Sequence, residues 1–498
     1  MTLPALSRTL RQAITLLALA LLSLAAAQTL RVATEIPAQL DPTFASSDAE
    51  ILILSNVYDY LVELDAGNRL QPGLATSWTV SDDGTAWTFD LRSDVTFHGG
   101  ASFGPEDVIA TFDRLRDPEA ELPTSDLYAG IDRIEATGPN QVTFHLTEPN
   151  PFFGFDLSDN HAVITDADAT DLGRTFDGTG PFRVTSYTAE DRMTLEANVD
   201  YFAGAPGVEE LTLLFFADQA AAVTALRGGQ VDLVLRMPTP LYQSLEGASG
   251  VTRVTVPTNG FDLVRLRTDR APGNDPRVVQ ALKLAVDRDA IVELVTDGLA
   301  VPGLDTPVGP LYEALHRPDV TPPAHDVDAA RTLLAEAGYA DGLSLTLHVP
   351  DSGDRPDLAV VLKQQLEEAG FLIDVNVQPE SVYYGDGGWL DVDFGITGWG
   401  SRPIPQFYFD TMIACDAVWN EAHYCNPEVD ALIATAGSTL DEAERTAAYA
   451  ELQTILANEG PYLIPYFFPQ FAAHADGFTG LDLKAFPGRT NLASIEPR

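Results

Sequence analysis

Residues 343–377 read LSLTLHVPDSGDRPDLAVVLKQQLEEAGFLIDVNV. Leu343, Leu345, Leu347 and Val349 alternate with more polar neighbours, the period of a strand with one buried face. Pro356 then opens a run in which Leu358, Val361, Leu362 and Leu366 fall at helical spacing, and Gly370 ends it. Ile373, Val375 and Val377 alternate again. A strand, a helix and a second strand joined by so long a crossover predict parallel pairing.

Working upstream, Asp326 is placed to cap a helix over 326–338 that Gly338 stops. Val279, Leu282 and Val286 make 276–297 helical, with Gly298 suited to a left-handed terminus. Residues 84–147 are different. Trp87, Phe89 and Leu91 alternate, as do Val142, Phe144 and Leu146, and turns stand at Asp82-Asp83-Gly84 and Gly138-Pro139-Asn140. A helix over 105–116 carries Val108, Ile109, Phe112 and Leu115 on one stripe. A strand-rich early region followed by a late βαβ unit predicts an α/β protein of more than one lobe.

The chain has 498 residues, enough for about three domains. It carries 73 Asp and Glu against 29 Lys and Arg, a net charge of -44. That balance excludes nonspecific nucleic-acid binding and attraction to an anionic membrane. Arg8 and Arg11, an apolar run from Ala13 to Leu22 and the small residues Ala25-Ala26-Ala27 form a secretory signal peptide, 1–27. Gln28, not a cysteine, stands directly after the cleavage point, so an exported chain, soluble and without a lipid anchor, is expected. Cys415 and Cys425 are the two cysteines. In an oxidising compartment such a pair reads as a disulfide, with two buried thiols as the alternative.

Catalytic signatures are missing from the sequence: no G-x-S-x-G, no H-E-x-x-H, no phosphate-loop lysine. Gly178-Thr179-Gly180 lacks the third glycine of a dinucleotide fingerprint. Asp166, Asp168 and Asp171 lack the glycine and glutamate of a calcium loop. The eight histidines are scattered. The expectation is therefore a protein with no catalytic group, metal or cofactor.

Local strings along nearly the whole chain, taken in order, carry a resemblance. They are LATSW at 74–78, DDGT at 82–85, WTFDLR at 87–92 and VTFHGG at 95–100; then Glu106-Asp107-Val108, GTGPF at 178–182, Asn198 and Tyr201-Phe202. GGQVD at 228–232, DPRVVQAL at 275–282, AVDR at 285–288, LLAEAGY at 333–339 and NPEVDALI at 426–433 complete the series. Together they resemble the family 5 solute-binding proteins of ABC importers, the dipeptide- and oligopeptide-binding type. The resemblance implies a bilobal α/β fold like that of periplasmic binding proteins, type II, enlarged by an extra domain. The first lobe would comprise a core of 28–43, 176–258 and 474–498 plus the extra domain at 44–175, and the second lobe would be 259–473. The chain would cross near Asn259 and again within 465–474. Ligand would bind between the lobes and closure would bury it. A monomer working with the permease subunits of a membrane importer is implied.

In dipeptide-binding relatives an Asp shortly after a Gly-Trp pair holds the ligand's α-amine. Gly398-Trp399-Gly400 resembles that pair, but Ser401-Arg402-Pro403 follows, and Asp410 is the nearest acid downstream. Arg355, in the loop 352–356, stands for the arginine that holds the α-carboxylate, and Arg402 is a second candidate for an anionic group. Tyr383, Tyr384, Trp389, Trp399 and Trp419 offer aromatic cleft walls. Asn259 and Phe261 lie at the expected crossover, and Arg267 replaces an asparagine usual in the family. A peptide-like solute is expected. The alternatives are a sugar, nickel chelate, haem, glutathione or opine in the same importer role, a secreted hydrolase, or a chaperone or adhesion protein on the same scaffold.

Overall fold

The computed structural model describes residues 29–498, apart from 66, 121, 123, 126 and 386. The signal peptide lies outside the described residues. The predicted βαβ unit is present. Strand Leu343–Pro350 leads into helix Arg355–Glu368 and returns as strand Phe371–Gln378. The two strands pair in parallel from Leu343 against Phe371 to Pro350 against Gln378. Gly370 takes φ 99°, a left-handed turn that glycine adopts without steric cost. The helical run 276–297 is two helices, Pro276–Leu284 and Arg288–Thr296. Asp287 breaks it, because its carboxylate caps the second helix at Ala290 N–H.

Three larger sheets organise the chain. The first runs in the order 251–256, 470–475, 233–234, 29–35, 210–216, 192–197, 182–188, with its three central strands parallel. The second runs 301–302, 466–467, 261–266, 394–399, 343–350, 371–378, with 462–463 also paired to 261–266. A four-stranded antiparallel sheet, 75–80, 86–91, 141–146 and 131–138, lies within the stretch 44–175. Its core residues Phe89 and Phe144, with Phe112 of the adjoining helix Pro105–Leu115, join Leu30, Val32 and Leu213 of the first sheet in one apolar cluster. The extra sheet therefore shares a core with the first sheet. The βαβ unit belongs to a separate cluster around Leu347, Leu362 and Ile396.

The chain passes between the lobes twice, and the two passages are tied together. Thr258 Oγ1 donates to the Phe468 carbonyl at 2.6 Å, and Phe468 N–H donates to the Gly260 carbonyl at 2.9 Å. A side chain at Gly260 would put Cβ 2.4 Å from the Phe468 ring, so only glycine allows this approach. The return boundary differs from the expectation. Strand Gln470–Ala475 already pairs with 251–256 in the first sheet, so residues 470–473 belong to the first lobe. The apolar stretch that holds them reads equally well as a strand of either sheet.

Candidate functional site

Strand Phe261–Leu266 is buried along its whole length, yet it carries Asp262 and Arg265. A buried charge requires a partner, and each has one. Arg355 Nε donates to Asp262 Oδ1 at 2.8 Å, and the Tyr466 hydroxyl donates to Oδ2 at 2.7 Å. Arg355 Nη1 also donates to Ser352 Oγ at 2.6 Å. Burial works against the Arg355 charge, but Asp262 outweighs it and holds the guanidinium charged. That guanidinium lies over Gly398, where a Cβ would come within 1.7 Å of Nη2. Arg265 Nε donates to Glu421 Oε2 at 3.0 Å, with both side chains fully buried. Glu421 also accepts from Thr397 Oγ1 at 2.6 Å and from the Trp399 indole at 3.1 Å. The second pair thereby orients Trp399, whose ring stacks on Phe261 and meets Trp419 edge-on at 5.9 Å.

The first lobe has a crevice of its own. Parallel strands Thr29–Glu35, Glu210–Phe216 and Leu233–Val234 end together, and open α/β sheets leave crevices at that edge. Thr34, Glu35, Asp218 and Arg236 line a pocket there, with Arg236 paired to Asp48. The two lobes are closed on each other. Thr239 Oγ1 donates to Asp354 Oδ2 at 2.8 Å across the gap. Phe152 packs into the second lobe's aromatic cluster, with the Arg445 guanidinium 5.4 Å from its ring centre. The charge of Asp410 acts on Asp156 across the same seam. Burial, with the nearby charges of Asp159 and Asp410, pushes the Asp156 carboxyl up to about 7. Burial likewise raises Asp410 to about 6, against a hydrogen bond from Gln406.

The expected site residues divide into groups. Arg355, Trp399 and Tyr384 come together around Gly398, whose backbone Tyr384 hydrogen-bonds, and the Tyr384 ring also meets Trp389 edge-on. Arg355 is the first residue of a helix and not a loop residue, because Pro356 at the second position starts the turn. Trp389 and Trp419 are half-buried. Three residues expected on the cleft surface are fully buried: Asn259, Phe261 and Tyr383. Asn259 Oδ1 accepts from Leu311 N–H, Phe261 packs under Trp399, and the Tyr383 hydroxyl meets Thr397. They shape the wall from behind. Arg267 bonds Asp269 and backbone carbonyls. Cys415 and Cys425 form the disulfide. Asp430 lies beside them, but bonded sulfurs are not the thiolates that ligate metals. Sequence reading missed Asp262, Arg265 and Glu421. Charged residues inside the apolar strand FDLVRL were the available signal.

Comparison with known proteins decides the family. Residues 69–420 match the model for bacterial extracellular solute-binding proteins, family 5. The chain belongs to this family. The glutathione-binding protein GsiB of Escherichia coli (strain K12) is 28% identical over 466 residues, covering 89% of each chain. A probable di/tripeptide-binding protein 5 of Pseudomonas aeruginosa (strain UCBPP-PA14) is 30% identical over 519 residues, covering 95% of this chain and 96% of its own. The Helicobacter pylori periplasmic binding protein DppA, solved with the peptide STSA, superposes with a TM-score of 0.78 at 22% identity, covering 94% and 98%. This family 5 protein therefore has the bilobal binding-protein fold and is the extracytoplasmic solute-binding component of an ABC importer. No helix among the described residues is long and apolar enough to cross a membrane.

Proposed function

We propose that this protein captures short peptides between its lobes and presents them to an ABC permease without altering them. The observation that carries the reading is Arg355, charged, pinned by Asp262 and laid over Gly398 beside Trp399. A fixed guanidinium suits a peptide carboxylate, and aromatic walls accept varied side chains. The names of the two relatives support it, since glutathione is itself a tripeptide. We further propose that the protein works as a soluble monomer, which light scattering after gel filtration would check.

Thermal unfolding of the mature protein against a ligand panel tests the peptide reading. The panel holds di- to pentapeptides, glutathione, nickel with chelators, haem, oligosaccharides and opines. A ligand at 100 times its Kd stabilises by about 2.7 kcal/mol. That raises Tm by at least about 2 °C in a protein of this size. Shifts with peptides and unchanged peptides on recovery are expected. Shifts only with sugars, metal complexes, haem or opines would keep the importer role and overturn the peptide assignment. Cleaved peptides would favour a hydrolase.

A further inference from the structure

Glu63, Asp65, Asp159, Arg402, Lys484 and Arg489 converge on a pocket between the lobes. Only Arg402 comes from the second lobe, in the loop after strand Phe394–Trp399. The C-terminal segment supplies Lys484 and Arg489, and the rest come from the extra domain.

The charges balance by sign, but not by pairing. Arg489 donates to Glu63 at 2.9 Å and to the Ser158 carbonyl at 2.8 Å. Lys484 meets Asp482 at 2.7 Å, Asp65 meets Arg69 at 2.8 Å, and Asp159 bonds His161 at 2.6 Å. Arg402 has no direct partner, although, against burial and after the larger contribution of His161, its charge helps hold the Asp159 carboxyl below its ordinary range. Among the described residues its guanidinium makes no hydrogen bond and no ion pair, and its Nε is buried without a partner. One flat face rests on the Phe407 ring, 4.3 Å from the centre. Stacking fixes the plane of the guanidinium and leaves its donor edge unused. An unsatisfied buried donor is costly, so such an arrangement calls for an acceptor that arrives with the ligand.

We propose that this pocket is a carboxylate subsite: Arg402 takes a carboxylate of the bound peptide in a bidentate grip, and the pocket closes over it from the Lys484 and Arg489 side. The proposal rests on the peptide reading and adds to it a preference for ligands with an anionic group at this end of the cleft. The carboxylate is either the peptide C-terminus or an acidic side chain. Because Arg402 and the other cations sit on opposite lobes, the carboxylate would also help hold the lobes together.

Titration calorimetry on the mature protein tests this with matched peptides. Ala-Ala-Ala is compared with its C-terminal amide, and Ala-Glu-Ala amide with Ala-Gln-Ala amide. Wild type should prefer one acid over its neutral partner by about tenfold or more. Arg402→Gln should remove that preference, and Arg402→Lys should restore part of it by returning charge without the fork. The first peptide pair reports the C-terminus and the second a side chain. Equal binding of acid and neutral forms by wild type overturns the subsite and the carboxylate role of Arg355 alike, while peptide capture itself stands. An Arg402→Gln variant, folded by circular dichroism, that keeps the wild-type ratio overturns the subsite alone. A third arm measures Tm in sodium acetate against sodium chloride at matched ionic strength. If no peptide binds but acetate stabilises wild type and not Arg402→Gln, the peptide reading fails and the anion site stands. If neither binds, both fall.

Discussion

Asp262 and Arg265 sit three residues apart on one buried strand, and each holds a different part of the second-lobe wall. The Arg265–Glu421 pair is fully buried and shared with Thr397 and Trp399. Removing one partner leaves the other charge uncompensated. Glu421→Ala is therefore expected to cost about 3–5 kcal/mol in urea unfolding, whereas Arg265→Met with Glu421→Leu together should come close to neutral. Tryptophan emission should shift in the single variant, because the Trp399 indole loses its acceptor. Gly398 offers a sharper probe of Arg355. A methyl there would stand 1.7 Å from Nη2, and Asp262 and Ser352 restrain the guanidinium from moving aside. Gly398→Ala should weaken peptide binding by about tenfold or more, a loss of about 1.4 kcal/mol. Adding Arg355→Lys should produce little further loss, since both changes act on one contact. Full additivity by calorimetry would mean that Arg355 does not touch the ligand.

At the scale of elements, the disulfide fastens the loop 415–425, which presents Trp419 and Glu421 to the wall. Replacing both cysteines with serine should lower stability by on the order of 2–3 kcal/mol for so short a loop, measured by chemical denaturation with and without reductant. Binding should weaken as well, because Glu421 positions Trp399. This loop shows what was legible in the sequence. The disulfide, the helix cap at Asp326, and the alternation in 343–349 and 371–377 are local patterns, and the structure has them; the cap at Asp287, which splits the run 276–297, went unread. The site depends on pairs far apart in the chain. Arg265 and Glu421 are separated by 156 positions and Arg489 and Glu63 by 426. Periodicity says nothing about such meetings. An aromatic residue likewise reads the same whether it lines a cleft or backs it, and for that reason Tyr383 and Phe261 looked like surface. The buried strand FDLVRL was the exception, since two charges in an apolar run announce partners not yet identified.

For the whole molecule, closure brings the charge of Asp410 in the second lobe to bear on Asp156 in the first. Asp156 belongs to helix Phe153–Asp156 and accepts a hydrogen bond from Asn150 Nδ2 at 2.7 Å. Asp159, bonded to His161, is its other charged neighbour, and Gln406 bonds Asp410 from the second lobe. In the closed protein the Asp156 carboxyl is pushed up to about 7 and that of Asp410 to about 6. In an open molecule both would return toward the ordinary carboxyl value, near 4. Between about pH 4 and 7 the closed state thus binds more protons than the open one. By linkage, closure is most favoured at the acid end and loses that advantage as pH rises through 6 and then 7. The two carboxyls are raised mainly by burial and to different extents, so the transition should be broad. Small-angle scattering from pH 5 to 8 should show the radius of gyration increasing with pH, and peptide affinity should fall over the same range. Ionic strength must be held fixed, because a net charge of -44 also drives the lobes apart as salt is removed. Asp156→Asn should flatten the profile, and Asp410→Asn should narrow it to a single step near the remaining group. A profile unchanged in both variants would assign the pH response to groups away from the seam and leave Phe152 and the Thr239–Asp354 bond as the contacts that hold the lobes closed.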